Sequence, residues 1–305
     1  MTSPEIIAPS PALLRTVRDE LGSHLPEAHR PLLHLLDVSS YLTCITVALG
    51  ERAVGRIILP MEKLEATTGL LKGLGLHVHR GWLDFMPRVS GVEGTDHDRV
   101  AVPRGTPGAT QGMLYMGLDA DLVEGAEMTE RQGHHGLLAQ LFGYPDCCSR
   151  VFTEPAAPKH LDKTPDSYQD TGPFPREMNP CVPYLYGLHP LFHFPCSPRC
   201  TASRELLRQR LGYLRRYAPS CAEYDSLGEG IAFYGQGVGI AVATRYQRTD
   251  EDTYLLERVV TRGDRLREVL SRPGASPRLR IHSVHEFELG DARIQDARGL
   301  VARFE

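Results

Sequence analysis

Apolar residues recur at two different periods along the first third of the chain. The segment PALLRTVRDELG has apolar positions at helical spacing, and Gly22 follows them as a C-cap for a predicted helix. YLTCITVALG and VGRIILP are rich in β-branched residues and predict strands. MEKLEATTGLLKGLG predicts a second helix, and LHVHRGWLDFMP, RVAVP and GMLYMGL predict three further strands.

From about position 118 the pattern changes to helices. DADLVEGAEMTERQ and HHGLLAQLF have helical spacing, Gly143 can cap the second helix, and Pro145 prevents its continuation. Asp146 is a favourable N-cap for a short helix, CCSRVFTE, which would begin with Cys147 and Cys148. Free backbone N–H groups and the positive dipole end at a helix start favour thiolate over thiol.

Proline dominates residues 154–198, which contain ten of the 23 prolines. Neither a long helix nor a central strand tolerates that spacing. A structureless connection of this length is unusual in a compact domain unless something holds it. Disordered linkers lack aromatic surface to bury, whereas this segment contains Phe174, Tyr184, Tyr186, Phe192 and Phe194. We therefore expect the proline-rich segment to be held in place.

The remainder of the chain combines helices and strands. TASRELLRQRLGYLRRYA predicts an amphipathic helix that Thr201 or Ser203 can cap. GIAFYGQGVGIAVATRYQ predicts two strands around a Gly-Gln-Gly turn, TYLLERVVTRGDRLREVL predicts a helix, and RLRIHSVHEFEL predicts a strand. The predicted fold class is α+β, with a mixed α/β region over 1–117, a helical, cysteine-rich region over 118–222 and an α+β region over 223–305.

Composition and charge limit the classes of function. Hydrophobic residues make up 41% and charged residues 24% of the 305 residues, which argues against wholesale disorder. The net charge of -4 provides no basic field for nucleic acid, so any contact with it would be local. The N-terminus lacks the features of a secretory signal, and Asp37 interrupts the most apolar stretch. We expect a cytoplasmic protein with no membrane span.

Seven cysteines are too few and too unevenly placed for a disulfide scaffold. Four of them, namely Cys147, Cys148, Cys196 and Cys200, lie at or just before two predicted helix starts, and these two helix starts bracket the proline-rich segment. A metal site would explain this pairing and would hold the segment. An iron–sulfur cluster contains several irons, so two adjacent thiolates can each bind a different iron. A zinc site usually takes two C-x2-C pairs, which this chain lacks here. The spacing of the cysteines therefore favours an iron–sulfur cluster over zinc. Buried cysteines and a dithiol redox pair are the other interpretations.

Histidines and one further cysteine extend this candidate site. His193 precedes Cys196 by three residues and is a candidate for a metal ligand, for example completing a zinc site, or for a catalytic acid–base group. Cys181 lies inside the proline-rich segment and could be a fifth or substitute ligand. His134 and His135 begin a predicted helix, where a solvated helix start is the simpler interpretation.

Arginines lie next to and after the last of the four cysteines. Arg199, Arg204 and Arg208 are candidates for binding an anion or a phosphate group of a cofactor beside the metal. The alternative is a solvated face of an amphipathic helix.

The stretch GHHGLLAQLFGYPDCCSRVF followed by HFPCSPRCTAS resembles an uncharacterised prokaryotic protein family with an LGYP-x-CC corner and a later H-x-PCS-x-x-C element. The likeness covers about residues 130–205 and implies a shared site without supplying a reaction. The matching positions are Gly143, Tyr144, Pro145, Cys147, Cys148, His193, Pro195, Cys196, Ser197, Cys200 and Ser203.

Two hypotheses of function follow from these residues. The first is a cytoplasmic enzyme with an iron–sulfur cluster that acts on a small-molecule substrate by Lewis-acid or redox chemistry, with His193 for proton transfer. A ligand pocket between the proline-rich segment and the first α/β region would fit it. The second is a zinc-stapled binding module whose arginine helix meets an anionic partner such as RNA. Metal identity and an open coordination position distinguish the two.

Overall fold

The structure is a computed structural model that describes residues 4–87, 99–153, 164–235, 239–262, 264–272, 277–296 and 299–305. The described chain contains both helices and mainly antiparallel sheets, so the predicted α+β class is confirmed. The α-helices are α1 (Ala12–His24), α2 (Arg30–Leu35), α3 (Val38–Ala48), α4 (Leu64–Gly73), α5 (Ala120–Arg131), α6 (His135–Leu141), α7 (Asp146–Thr153), α8 (Cys181–Tyr186), α9 (Thr201–Tyr217), α10 (Tyr224–Leu227) and α11 (Asp264–Ser271).

The strands form two sheets. They are β1 (Glu5–Ile7), β2 (Val54–Pro60), β3 (His77–Pro87), β4 (Arg99–Pro103), β5 (Gln111–Gly117), β6 (Gly230–Gly235), β7 (Gly239–Asp250), β8 (Thr253–Arg262), β9 (Arg278–Ser283), β10 (Glu286–Leu289), β11 (Ala292–Gln295) and β12 (Leu300–Phe304). The smaller sheet has the order β2-β5-β3-β4. The larger has the order β11-β10-β9-β8-β7-β6-β12, and β1 pairs with β8 in parallel.

The smaller sheet contains four of the five strands that the sequence predicts in this region, and α3 packs across β2. Gly55 allows this close packing, because a Cβ there would lie 2.8 Å from the Val47 side chain. The prediction of a strand over YLTCITVALG is wrong, since this segment belongs to α3. Asp37 begins the helix by accepting a hydrogen bond from Ser40 N–H at 2.7 Å. Most of α3 is buried on all sides, so no polar face marks its helical period.

One helix end and one element type also differ from the prediction. Helix α1 continues past Gly22 to His24, and Leu25 is its C-cap, so Gly22 is not the cap. The predicted helix over 253–270 is a strand, β8, followed by the shorter helix α11. Pairing of β8 with β7, with β9 and with β1 satisfies its backbone and overrides the helical spacing of its leucines.

The predicted C-terminal strands are present with one change. The hairpin β6–β7 is antiparallel, as the sequence predicts, and residues 236–238 of its turn lie outside the described residues. RLRIHSVHEFEL forms two paired strands, β9 and β10, rather than one.

The described part of the proline-rich segment, residues 164–198, is packed between two groups of buried apolar residues. On one side Met178 and Val182 join the core formed by α1–α4 and α9. On the other side Phe174 and Leu185 join the core of the larger sheet, where the Phe174 N–H donates to the Arg303 carbonyl at 2.9 Å. The segment therefore links the two halves of the molecule.

Candidate metal centre

The corner before the two adjacent cysteines is a helix end of defined geometry. Gly143 has a positive φ of 67°, its N–H donates to the Gln140 carbonyl, and the Tyr144 N–H donates to the Ala139 carbonyl, both at 2.9 Å. This pair of bonds is the Schellman motif, which ends α6. The predicted cap at Gly143 is confirmed, and it turns the chain directly into α7.

Helix α7 begins one residue earlier than the sequence predicts. The Pro145 carbonyl accepts the N–H groups of Cys148 and Ser149 at 2.9 Å, so Asp146 is the first helical residue rather than the N-cap. Cys147 and Cys148 remain in the first turn. Cys147 is exposed and Cys148 is buried.

The second pair of cysteines lies at the start of α9. Cys200 itself is the N-cap, and its Sγ accepts the Ser203 N–H at 3.5 Å. The predicted caps Thr201 and Ser203 are therefore wrong. A tight turn brings Cys196 back toward the helix, because the Cys200 N–H donates to the Ser197 carbonyl at 3.0 Å.

The structure brings the four predicted cysteines together. The Sγ of Cys200 lies 3.6 Å from that of Cys148 and 3.7 Å from that of Cys147. The sulfurs of Cys147 and Cys148 are 3.9 Å apart, and all four sulfurs lie within 4.8 Å of one another. The Cys196 N–H also donates to the Cys148 sulfur at 3.3 Å. Four soft ligand atoms at such distances could hold a metal ion.

The ionisation of these thiols depends strongly on their surroundings. Burial raises the pKa of Cys148 to about 11, and burial with the neighbouring thiols raises the pKa of Cys196. Burial also opposes ionisation of Cys200, but hydrogen bonds from the Ser203 hydroxyl and N–H outweigh it and lower the pKa to about 7. A bound cation would stabilise all four thiolates together.

His193 reaches the thiol cluster through one intermediate side chain. Its Nε2 lies 2.8 Å from the Ser203 hydroxyl, and this hydroxyl lies 3.3 Å from the Cys148 sulfur. The Nδ1 of His193 is buried and has no hydrogen-bond partner among the described residues. Burial, followed by the charges of Arg210 and Arg52, lowers the pKa of His193 to about 3, so its ring is neutral.

The other predicted site residues lie outside the group of four sulfurs. Cys181 is buried in the core of the larger sheet, and His134 and His135 are exposed at the start of α6. The three predicted anion-binding arginines are engaged with carboxylates of the chain. Arg199 pairs with Asp170 at 2.9 Å, and Arg204 and Arg208 pair with Glu177 at 2.7 Å and 3.4 Å.

A cavity of about 790 Å³ lies beside the thiol cluster. It lies between the proline-rich segment and the first α/β region, where the sequence-based hypothesis expects a ligand pocket. Its walls include the side chains of Arg52, Phe142, Tyr144, Phe192 and His193. Tyr144 follows the corner at Gly143, and its ring centre lies 5.2 Å from that of His193.

Arg52 is a site residue that the sequence does not reveal. It follows Gly50 and Glu51 in a polar turn of the kind that is usually exposed. In the structure it is buried, with 5% of its surface exposed, and it packs against the corner, because a Cβ at Gly143 would lie 3.6 Å from the Arg52 Cγ.

Comparison of the chain with protein families, with curated proteins and with solved structures finds no match in any of the three. Within the described part of the chain, no helix has the length and apolar character needed to cross a membrane.

Proposed function

We propose that the protein binds one metal ion through Cys147, Cys148, Cys196 and Cys200 and that the adjoining cavity acts on a small molecule. The observation that carries the proposal is the mutual approach of four sulfurs from two helix starts far apart in the chain. The cavity beside them has the size of a typical ligand site.

The distances between the sulfurs support a single tetrahedral ion. A metal–sulfur distance of about 2.3 Å in a tetrahedral zinc site separates its sulfurs by about 3.8 Å. Three of the sulfur pairs lie 3.6 to 3.9 Å apart. An iron–sulfur cluster would bind its thiolates on separate irons and hence farther apart. We therefore propose zinc as the metal.

An iron–sulfur cluster is the second candidate. The observation that favours it is the difference between Cys147, which is exposed, and the other three thiols, which are buried or half-buried. A cluster held by Cys148, Cys196 and Cys200 alone would have one iron open to a substrate.

The proposed zinc ion stabilises one wall of the cavity. Among the residues that the structure describes, those that line the cavity include Tyr144, Pro195 and His193 but none of the four cysteines. Joining the starts of α7 and α9 fixes these residues relative to one another. His193 is then the proposed acid–base group, because it lines the cavity and its Nδ1 has no hydrogen-bond partner among the described residues.

Elemental analysis and absorption spectroscopy of anaerobically purified protein test this proposal. We expect about one zinc per chain and, after replacement by Co(II), the intense spectrum of tetrahedral thiolate ligation. Cys148→Ala is expected to lower metal affinity at least about tenfold. Cys221→Ala removes a buried thiol outside the site and is expected to retain the metal.

Three other results would change or end the proposal. Brown protein that contains iron and inorganic sulfide would favour the iron–sulfur candidate. Equal metal content in Cys148→Ala and wild type would exclude the thiol cluster as the binding site. Wild-type protein that is folded, colourless and free of metal would contradict both candidates.

A further inference from the structure

Arg52 brings a buried positive charge to the cavity without a compensating partner. Its Nε and Nη1 atoms have no hydrogen-bond partner among the described residues. Its guanidinium carbon lies 5.1 Å from the ring centre of Phe192 and 5.9 Å from that of Phe142. Contact with aromatic rings offsets only part of the cost of removing a guanidinium group from water.

A second buried arginine increases the local positive charge. Arg210 is 2% exposed, donates to the Pro190 carbonyl at 2.9 Å, and lies 4.6 Å from the ring centre of Phe192. Burial and then the charge of Arg52 lower the pKa of Arg210 to about 10. The two guanidinium groups therefore repel each other inside the protein.

The carboxylates that line the cavity are already engaged. Asp37 accepts the N–H and hydroxyl of Ser40 at 2.7 and 2.8 Å. Glu177 accepts hydrogen bonds from Arg204 and Arg208. A buried cation is usually paired with an anion, and within the described part of the chain no salt bridge to Arg52 is formed.

We propose that the cavity binds a small organic anion, with a carboxylate or phosphate group at Arg52 and an apolar or aromatic body along the ring of Phe192. A guanidinium group offers paired N–H donors that match both kinds of anion. The aromatic walls and the volume suit an attached organic body. This inference rests on the proposed use of the cavity and is independent of which metal the cysteines hold.

The buried charge of Arg52 destabilises the folded protein when no anion is bound, and a substitution can measure this effect. Methionine keeps the unbranched apolar stem of arginine but lacks the guanidinium group, so Arg52→Met removes an unpaired buried cation while retaining most of the packing of that stem. In the absence of an anion, R52M is therefore expected to have a higher Tm than wild type. An anion should raise the Tm of wild type but not that of R52M, because only wild type binds it.

Isothermal titration of the metal-loaded protein tests the inference directly. The probes are phenylacetate and phenyl phosphate, with 2-phenylethanol as the uncharged counterpart. We expect saturable binding of at least one of the two anions at one site per chain, and at least about tenfold weaker binding of the alcohol. R52M should lose at least about tenfold in affinity for the anion. Arg216→Met, a change at an exposed arginine of α9, should bind as wild type does.

The possible results separate this inference from the proposed function. Equal binding of the alcohol and the anions, unchanged in R52M, would retain a ligand cavity and overturn the anion site. Failure of all three probes to bind protein with a full metal content would overturn the anion site and leave the metal intact. Loss of anion binding in Arg208→Met but not in R52M would assign the anion to α9 instead. A lower Tm for R52M would reveal an internal partner for Arg52 and would also overturn the inference.

Discussion

Ser203 is the residue that joins the thiol cluster to the cavity. Its side chain is fully buried, and its hydroxyl lies within hydrogen-bonding distance of both the Cys148 sulfur and His193 Nε2. A hydroxyl can donate one hydrogen bond and accept others. Ser203 can therefore orient the imidazole of His193 and stabilise a thiolate at Cys148 at the same time.

His193 is expected to remain neutral well below the ordinary histidine pKa of 6.5. Because its pKa in the folded protein is about 3, the unfolded chain takes up a proton between pH 6.5 and 3 that the folded protein does not. The free energy of unfolding therefore decreases as the pH falls through this window. Between pH 7 and pH 5, wild type should lose about 2 kcal/mol more than His193→Gln, measured by urea unfolding of the metal-loaded proteins.

Imidazole ¹⁵N shifts provide an independent check of this prediction. The signals that His193→Gln removes from the spectrum belong to His193, and in wild type they should keep the neutral pattern down to pH 5. Protonation of this ring near pH 6.5 would show that the imidazole is not held in the neutral state, and the expected difference in stability would then vanish.

At this scale the sequence predicted the four cysteines but not Arg52. The cysteines could be recognised because each pair is local and lies at a helix start, which is visible in the spacing of residues along the chain. The burial of Arg52 depends on Phe142 and Phe192. Phe142 follows α6 and Phe192 belongs to the proline-rich segment, so their approach to each other results from tertiary folding.

At the scale of elements, a helix with one polar face was predicted correctly and a helix that is buried on nearly all sides was not. Helix α9 alternates buried leucines with exposed charges, and it was predicted. Helix α3 is buried on nearly all sides and contains β-branched Thr43, Ile45 and Val47, which favour strands. The capping bond at Asp37 and the packing on Gly55 decide in favour of the helix.

Two glycines of the same region test the helix end before the cysteines. Gly143→Ala should lower the free energy of unfolding by about 1 kcal/mol. The cause is the positive φ, because the nearest atom to a Cβ there lies 3.6 Å away and leaves room for it. Chemical denaturation of metal-loaded protein measures the change, and metal affinity should fall because the corner positions Cys147 and Cys148.

Gly136→Ala is the matched control, since Gly136 lies within α6 and a Cβ there meets nothing within 4 Å. Alanine favours the helix, so this variant should be as stable as wild type or more stable by about 0.5 to 1 kcal/mol. Equal effects of the two substitutions would contradict a special role for the left-handed conformation at Gly143.

At the scale of the whole molecule, the earlier and the later part of the proline-rich segment have different contacts. Its earlier part packs with the larger sheet through Phe174 and Leu185. Asn179 adds a hydrogen bond to the Gly228 carbonyl at 2.8 Å. Its later part contains His193 and Cys196, and the sulfur of Cys196 belongs to the thiol cluster. The sequence indicated that the segment is held in place. Its contact with the larger sheet could not be predicted, because that contact depends on the long-range pairing of β12.

Removal of the metal should therefore loosen one end of this segment and not the other. In hydrogen exchange, protein treated with a chelator should exchange at least about tenfold faster over 188–200 and 146–153, because the four sulfurs no longer share a cation. Residues 174–186 should change little, since the sheet core still packs against them. Adding zinc back should restore the protection of these residues from exchange.

Two other outcomes would contradict this prediction. Faster exchange throughout 174–200 would mean that the metal holds the whole segment. Unchanged exchange at 188–200 would mean that apolar packing alone positions His193 in the cavity wall.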